Sequence, residues 1–212
     1  MKTAGQGQKR APGKMAYLMT SLACFFSIAS VAGAVTGSFE GWRLEQDVAP
    51  PSYAVIDPAS TNLNVDSIVL ACEEAGQRQI LQLQLYLSTE GPLSPLGSAP
   101  QSLKDNPRAE ITIDDRVFPV GIFFADDYVV LADEKKEMFP LLSDRLLVAM
   151  QVGRNMVLRF DLVAEHDDRA AKFDGEVVID LQAGKGGAAV ATVRRCADEG
   201  SHRPGITVSA GS

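Results

Sequence analysis

The chain has 212 residues, with 20 basic and 27 acidic side chains and a formal net charge of −7. A length of this order favours one folded domain once the ends are trimmed. An acidic chain repels nucleic acid and anionic lipid headgroups, so neither is expected as a primary partner, and the charge mainly serves solubility.

Residues 1–34 have the pattern of a signal peptide. Four basic residues precede a mostly apolar run at 15–31, and a small-residue cleavage site ends at Ala34. Two alternatives stay open: a lipoprotein signal that uses Cys24, and an uncleaved membrane anchor, because the apolar run is almost long enough to span a bilayer. Cleavage would leave 16 basic and 27 acidic residues, a net charge of about −11, and no membrane-inserted segment.

Residues 35–65 are rich in proline and polar side chains. Trp42, the only tryptophan, is predicted to be a packing anchor, because a large ring gains most from burial. The Pro50-Pro51 pair argues against regular structure. We therefore expect a Pro-rich N-terminal segment here, then an α+β domain at 66–198 and a polar, Gly/Ser-rich, disordered tail at 199–212.

The first two strands are predicted at 66–72 and 79–87, joined as a hairpin. Cys72 shares one face of the first run with Ile68 and Leu70. In the second run, leucines at 81, 83, 85 and 87 alternate with polar residues and a tyrosine, which is the period of a half-buried strand. Cys72 should therefore point into the core.

Residues 88–108 have many prolines, glycines and serines and no hydrophobic period. Irregular stretches of this length are uncommon in compact domains unless they are functional or disordered. We interpret this stretch as a surface excursion and as one candidate for contact with a partner.

Further strands and a helix are predicted after the excursion. A tight hairpin should join 110–114 to 117–120 through Asp115-Arg116, and short strands should follow at 128–131 and 155–163. Between these last two, Ser143 is a suitable N-cap for a helix that runs to Val152, with Gly153 just past its end.

The last strand and helix are separated by glycines. Val177, Ile179 and Leu181 alternate with Glu176, Val178 and Asp180, and Gly184–Gly187 then interrupts the strand. This segment lacks the full phosphate-binding pattern. We therefore predict a strand-to-helix turn here, in preference to an anion-binding site at the helix N-terminus. After it, Ala189, Val193 and Cys196 fall at i, i+4 and i+7 and form one helical stripe, with Arg194 and Arg195 in the last turn.

The number of cysteines in the mature chain depends on cleavage of the signal peptide. Cleavage removes Cys24 and leaves Cys72 and Cys196, an even pair in an exported chain, for which a disulfide is expected. Closing a loop of 124 residues would stabilise the fold by roughly 4–5 kcal/mol in the chain-entropy model. Two buried free thiols are the alternative. The predicted fold is thus α+β: an antiparallel twisted sheet or small β-sandwich with two short helices, one of them C-terminal, closed by this disulfide.

Catalytic chemistry has little support in the sequence. The two histidines, His166 and His202, fall in a charged turn and in the tail, whereas a nucleophile needs a rigidly held base. Carboxylates cluster in turns, and these are the candidates for acid–base or metal chemistry: Asp114-Asp115, Asp126-Asp127 and Glu165–Asp168. No calcium-loop spacing is present, so solvated turn residues are the simpler explanation.

The order of elements resembles a known kind of protein. An exported chain opens with Phe39-Glu-Gly-Trp42, places Cys72 at the end of an early strand, has a helix that ends in Gly153, and finishes with a glycine turn and an Ala-rich helix ending in Cys196. This resembles small secreted bacterial proteins of the invasion-associated locus B type. It is also similar to accessory periplasmic proteins of the type VI secretion system. The resemblance implies a non-enzymatic envelope protein with no catalytic residues to carry over.

Three functional hypotheses follow. The first is a periplasmic or secreted, non-enzymatic protein that acts through contact with another envelope protein, through 88–108 and the Asp114–Asp127 region, without a cofactor. The second is a small carboxylate- or metal-dependent hydrolase that uses Asp114, Asp126, Asp127 or the Glu165–Asp168 turn. The third is a periplasmic carrier that encloses an apolar ligand, which requires a deep apolar cavity.

Overall fold

The computed structural model describes residues 41–99, 102–125, 127–164 and 173–200. The predicted signal peptide and residues 201–212 of the predicted tail lie outside these ranges. The described residues form twelve strands and two helices: β1 Arg43–Leu44, β2 Tyr53–Ile56, β3 Ser60–Thr61, β4 Val65–Ala75, β5 Arg78–Leu87, β6 Leu103–Ile113, β7 Arg116–Phe124, β8 Tyr128–Ala132, β9 Glu134–Lys136, β10 Phe139–Leu141, α1 Asp144–Val152, β11 Asn155–Val163, β12 Gly175–Asp180 and α2 Gly186–Gly200.

Ten of these strands form one antiparallel sheet in the order β1-β2-β4-β5-β8-β7-β6-β11-β12-β3, and β9 and β10 form a separate hairpin. Strand β7 joins the two halves of the sheet, because its first half pairs with β6 and its second half with β8. The predicted hairpins are confirmed as the pairs β4–β5 and β6–β7. The chain is thus α+β as expected, with far more strand than helix.

The inner face of the sheet carries the hydrophobic core. Leu70 and Leu83 from one half lie in the same buried cluster as Ile111, Leu158 and Ile179 from the other. A single sheet brings both halves into one cluster by curling around it. The two helices fill the space inside the curl.

Helix α1 begins as predicted. Ser143 is its N-cap, and the Ser143 hydroxyl accepts a hydrogen bond from the backbone N–H of Leu146. Gly153 ends the helix with a φ of −68°, so a left-handed conformation is not what the position needs. A Cβ at this position would instead meet the carbonyl oxygen of Ala149 at 2.8 Å and also Ile113. Close packing is therefore the reason for glycine here.

Helix α2 presents the predicted stripe to the core: Ala189, Val193 and Cys196 are all buried. It packs on β4, β5 and α1. Cys196 is disulfide-bonded to Cys72, and the two Cα atoms are 6.3 Å apart, within the normal range for such a bond. The expected pairing is confirmed, and it ties the last helix to the fourth strand.

The expected boundary at residue 66 is corrected by the structure. Strands β1, β2 and β3 belong to the main sheet, and Trp42, Ala54 and Leu63 are in the core cluster. Pro50 and Pro51 interrupt regular structure only locally, between β1 and β2. Short strands with little hydrophobic period still pair when the neighbouring strand supplies the hydrogen bonds, which is why composition alone missed them.

The expected irregular stretch 88–108 also needs correction. Residues 103–108 form the first half of β6, which pairs through Leu103 and Arg108 with β11. Pro107 lies inside this strand. The described part of the excursion is therefore 88–99 together with Ser102.

The glycine segment is a strand-to-helix turn, as predicted. A short 3-10 turn at Ala183–Lys185 leads into α2, and Gly184 has a φ of +60°. Trp42 packs on this turn and donates its backbone N–H to the carbonyl of Ala183 at 3.4 Å. With an exposed fraction of 7 %, Trp42 is the buried packing anchor that the sequence predicts.

Candidate functional site

One depression of the surface lies on the outer face of β2, β4, β5 and β8, opposite the core. Directly paired residues of antiparallel strands point to the same side, so three rows of side chains cross this face. The rows are Tyr53–Ala71–Gln82, Val55–Val69–Gln84–Val130 and Ser67–Tyr86–Tyr128. Three of the four tyrosines of the chain thus lie on one face.

These side chains form a groove of about 310 Å³. Its floor is made of small or branched residues, Val55, Ser67, Val69 and Ala71. Tyr53 rises at one end, with 39 % of its surface exposed, and the other lining side chains are Glu73, Gln84 and Tyr86. Large residues at the border and small ones at the centre make the depression. We call it the tyrosine groove.

A chain of hydrogen bonds runs along the groove wall. Tyr86 donates its hydroxyl to Oε1 of Gln84 at 3.4 Å, and Nε2 of Gln84 donates to Glu73 at 2.9 Å and to Gln82 at 3.3 Å. Nε2 of Gln82 in turn donates to the carbonyl of Pro140 at 2.8 Å. Both glutamines are buried, although their alternation with leucine predicts a solvent-facing side. Satisfied buried amides hold their neighbours in place, so this network fixes the wall of the groove.

Tyr86 and Tyr128 stack beside the groove, with ring centroids 5.3 Å apart. Burial is the main cause that raises the pKa of Tyr86, and nearby Tyr128, Glu73 and Asp127 raise this pKa further. The phenol therefore stays neutral and sits in a negative potential.

A second depression of about 420 Å³ adjoins the groove at Tyr86, which lines both. Its other lining residues are Leu87, the segment Ser88–Gly91 and Asp127. The start of the predicted excursion and one of the predicted carboxylates therefore meet here. We call this depression the acidic cleft, since Glu90 and Asp127 both line it.

The excursion itself is anchored. Asn64 accepts a hydrogen bond from the backbone N–H of Ser94 at 2.9 Å and donates to Thr89 at 3.3 Å and to the carbonyl of Pro92 at 3.1 Å. Leu93 is buried beside it. One asparagine thus positions both the turn at Pro92 and the residues that line the acidic cleft.

The predicted carboxylates are not brought together where the structure describes them. Asp114 lies in the turn before β7, and its carboxylate accepts the backbone N–H groups of Arg154 at 3.2 Å and Asn155 at 3.1 Å. Asp127 follows β7, and a nine-residue strand spans about 30 Å. Asp126, the Glu165–Asp168 turn and His202 lie outside the described residues. Within the described ranges, no three metal-ligating side chains are grouped.

Another depression, of about 450 Å³, lies at the start of α1 and is lined in part by Phe118, Asp133 and Arg145. Ser143 donates its hydroxyl and its backbone N–H to the Asp133 carboxylate. The same hydroxyl caps the helix, so this serine–carboxylate pair serves to begin α1.

The interior has been used for packing. Buried side chains of α1 and α2, among them Leu146, Met150, Val190 and Val193, belong to the same cluster as the inner face of the sheet. The enclosed cavity that an apolar-ligand carrier needs would have to occupy this space. The sequence analysis did not predict the tyrosine groove. The pattern that could have indicated it is the alternation in β5, which puts Tyr86 on the same face as Gln82 and Gln84.

Comparison of the chain with models of protein families, with curated proteins and with solved structures finds no match. In the part of the chain that the structure describes, neither helix combines the length and apolar character needed to cross a bilayer.

Proposed function

We propose that this chain is an exported protein of the bacterial cell envelope that acts by contact with another envelope protein and not by catalysis, and that the tyrosine groove with the acidic cleft is its contact surface. The observation that carries the proposal is that the two depressions share Tyr86 as a lining residue. Tyrosines are enriched at protein interfaces and contribute large, rigid contact area.

Export is supported by two independent features. The first 34 residues have the three-part pattern of a signal peptide. The disulfide between Cys72 and Cys196 is a bond that persists in oxidising compartments and is rare in the cytosol. We propose a periplasmic or secreted location on these grounds.

The resemblance to invasion-associated locus B proteins and to type VI secretion accessory proteins enters here as part of the proposal. The residues on which it rests have these roles in the fold of this chain: Trp42 packs on the glycine turn, Gly153 ends α1, and the two cysteines join β4 to α2. The resemblance implies an accessory protein that binds another component and performs no chemistry.

Photo-crosslinking in the cells that normally make the protein tests the contact. A crosslinking amino acid replaces Tyr53 in one strain and Phe173 in another, because the two rings are almost equally exposed, 39 % and 38 %, and Phe173 does not line the groove. A defined crosslinked product at Tyr53 with none at Phe173 is the expected result. Equal crosslinking at both positions, or none at either, would count against the proposal.

Two further measurements test the proposed location of the protein outside the cytoplasm. Residues 1–40 fused to a phosphatase that is active only outside the cytoplasm should give activity. Alkylation before non-reducing electrophoresis should show Cys72 and Cys196 oxidised in protein taken directly from cells. An inactive fusion or two free thiols would contradict the proposed location.

A further inference from the structure

The tyrosine groove has a length that can be compared with an extended chain. Tyr53 and Tyr86 are separated by one intervening strand and by four residues along the strands. Strand spacing of about 4.8 Å and a rise of about 3.3 Å per residue place their Cα atoms about 16 Å apart. An extended segment covers this distance with about five residues. The apolar floor, with Val55, Val69 and Ala71, suits alternate side chains of such a segment.

The charged side chains that line the groove and the cleft are acidic. Among the described residues that line the groove and the cleft, Glu73, Glu90 and Asp127 carry carboxylates, and no lining residue is basic. Arg43 lies opposite Val55 on the same face, but Asp57 binds its guanidinium through two hydrogen bonds of 3.0 and 2.8 Å. The surface therefore complements a cation.

The stacked tyrosines give the cation a place. A guanidinium or ammonium over an aromatic face is attracted by the ring, most strongly where water is excluded. The Tyr86–Tyr128 pair lies near Glu73 and Asp127. The negative potential of these two carboxylates also contributes to the raised pKa of Tyr86. Arginine fits best, because its planar group stacks on a ring and still donates to carboxylates.

We propose that the tyrosine groove binds an extended segment of about five residues from a partner protein, with an arginine side chain over the Tyr86–Tyr128 pair, in the negative potential of Glu73 and Asp127. The inference rests on the proposed function and specifies the chemistry of the partner. The hydrogen bonds of Gln82 and Gln84 hold the groove in one conformation, so we expect the bound segment, and not the groove, to change conformation on binding.

Binding of synthetic peptides tests this. The protein, purified as cells process it and kept oxidised, is titrated with a blocked seven-residue peptide of alternating valine and threonine that has arginine at its centre. Two matched peptides carry citrulline, which has nearly the same shape without charge, or glutamate. The arginine peptide should bind at least about tenfold tighter than the citrulline peptide, and added salt should weaken it. The glutamate peptide should bind least.

Variants locate the site. Glu73→Gln and Tyr86→Leu should each weaken the arginine peptide about five- to tenfold, whereas Glu74→Gln, an exposed neighbour on the opposite side of the strand, should leave affinity unchanged. If Tyr86→Leu fails to fold, Tyr53→Ala replaces it, because this ring is at the open end of the groove. Equal affinity for arginine and citrulline peptides, or equal loss in Glu74→Gln, would overturn the inference.

The two proposals fail separately. A crosslink at Tyr53 without any arginine preference would leave the contact function standing and remove the cationic segment. An arginine preference without a crosslink in cells would remove the contact function. Dimerisation that Tyr53→Ala abolishes would assign the groove to a second copy of this chain, and it would overturn the inference.

Discussion

Trp42 packs directly on Gly186: a Cβ built on this glycine would lie 2.5 Å from Cδ1 and 2.7 Å from Nε1 of the indole, and closer still to the carbonyl oxygen of Leu181. The two residues are 144 positions apart. Their contact fastens the start of the described chain to the start of α2.

Gly186→Ala should therefore destabilise the protein. Forcing one methyl group into a packed site typically costs about 1–3 kcal/mol, and denaturant unfolding measures the loss. Trp42→Leu should relieve only the part of that cost that comes from the indole, because the clash with the backbone carbonyl of Leu181 remains, and a double-mutant cycle isolates this coupling. Ala188→Ser, an exposed position two residues along α2, should stay within about 0.5 kcal/mol of the natural chain. Independent effects of the two substitutions would exclude the indole as a source of the cost.

Loss of the disulfide should be the largest single effect on stability. Cys72→Ser is expected to lower the free energy of unfolding by about 4–5 kcal/mol, because the open unfolded chain regains the freedom of a long loop. The double variant with Cys196→Ser should resemble the single one, and the natural chain in reductant should resemble both. Chemical unfolding with and without reductant tests this. A natural chain indifferent to reductant would exclude a stabilising disulfide.

Asp161 should make stability depend on pH. This carboxylate is 1 % exposed and accepts hydrogen bonds from Lys104 and from Arg108, the latter at 2.6 and 3.1 Å. Burial is the largest influence and would raise its pKa, but the bonds and charges of the two cations together bring the pKa below its usual value. The lowered pKa means that the unfolded chain takes up the proton first, so the stabilisation is present above about pH 4.

Lowering the pH from about 5 towards 2 should therefore destabilise the natural chain more steeply than Asp161→Asn. At pH 7 the variant should lose about 1.5–3 kcal/mol, the usual value of hydrogen bonds to a charged group. Arg108→Gln should lose less, because 60 % of the Arg108 side chain is exposed. Urea unfolding at several pH values gives both comparisons. Parallel pH curves for the natural chain and Asp161→Asn would exclude this role of Asp161.

Asn64 should control the excursion without controlling the fold. Asn64→Asp keeps the oxygen that accepts from Ser94 but loses the two donated hydrogen bonds to Thr89 and Pro92. We expect faster hydrogen exchange and faster proteolysis across 88–96, with a loss in overall stability of about 1–3 kcal/mol. Asn62 is not a neutral control, because it bonds to β12. Gln77→Asp, in the exposed β4–β5 turn, should leave exchange in 88–96 unchanged.

Local pattern was enough to predict much of the sheet. The period of two places the leucines of β5 inward, and Ser143 and the helical stripe at Ala189, Val193 and Cys196 mark the helices, because these signals arise within a few neighbouring residues. β3 and the first half of β6 carried no such signal. Their pairing partners, β12 and β11, lie far along the chain and determine their conformation.

The candidate site was less predictable for the same reason. Tyr53, Tyr86 and Tyr128 are separated by more than thirty positions each, and only the strand order β2-β4-β5-β8 puts them on one face. Gln82 and Gln84 can be buried because their amides donate to the carbonyl of Pro140 and to Glu73. Both partners lie on other strands, so the local sequence around the glutamines does not reveal them.

The amino-acid sequence by itself determined which residues alternate, which one caps α1, and that Cys72 and Cys196 are the two cysteines outside the predicted signal peptide. Only the tertiary structure decided that the tyrosines and carboxylates share a surface and that Trp42 packs on Gly186. It also decided that the Asp114 carboxylate accepts hydrogen bonds from backbone N–H groups. The physical reason is range: period and capping act over one or two turns of chain, whereas a groove is made by the register of strands that the sequence separates.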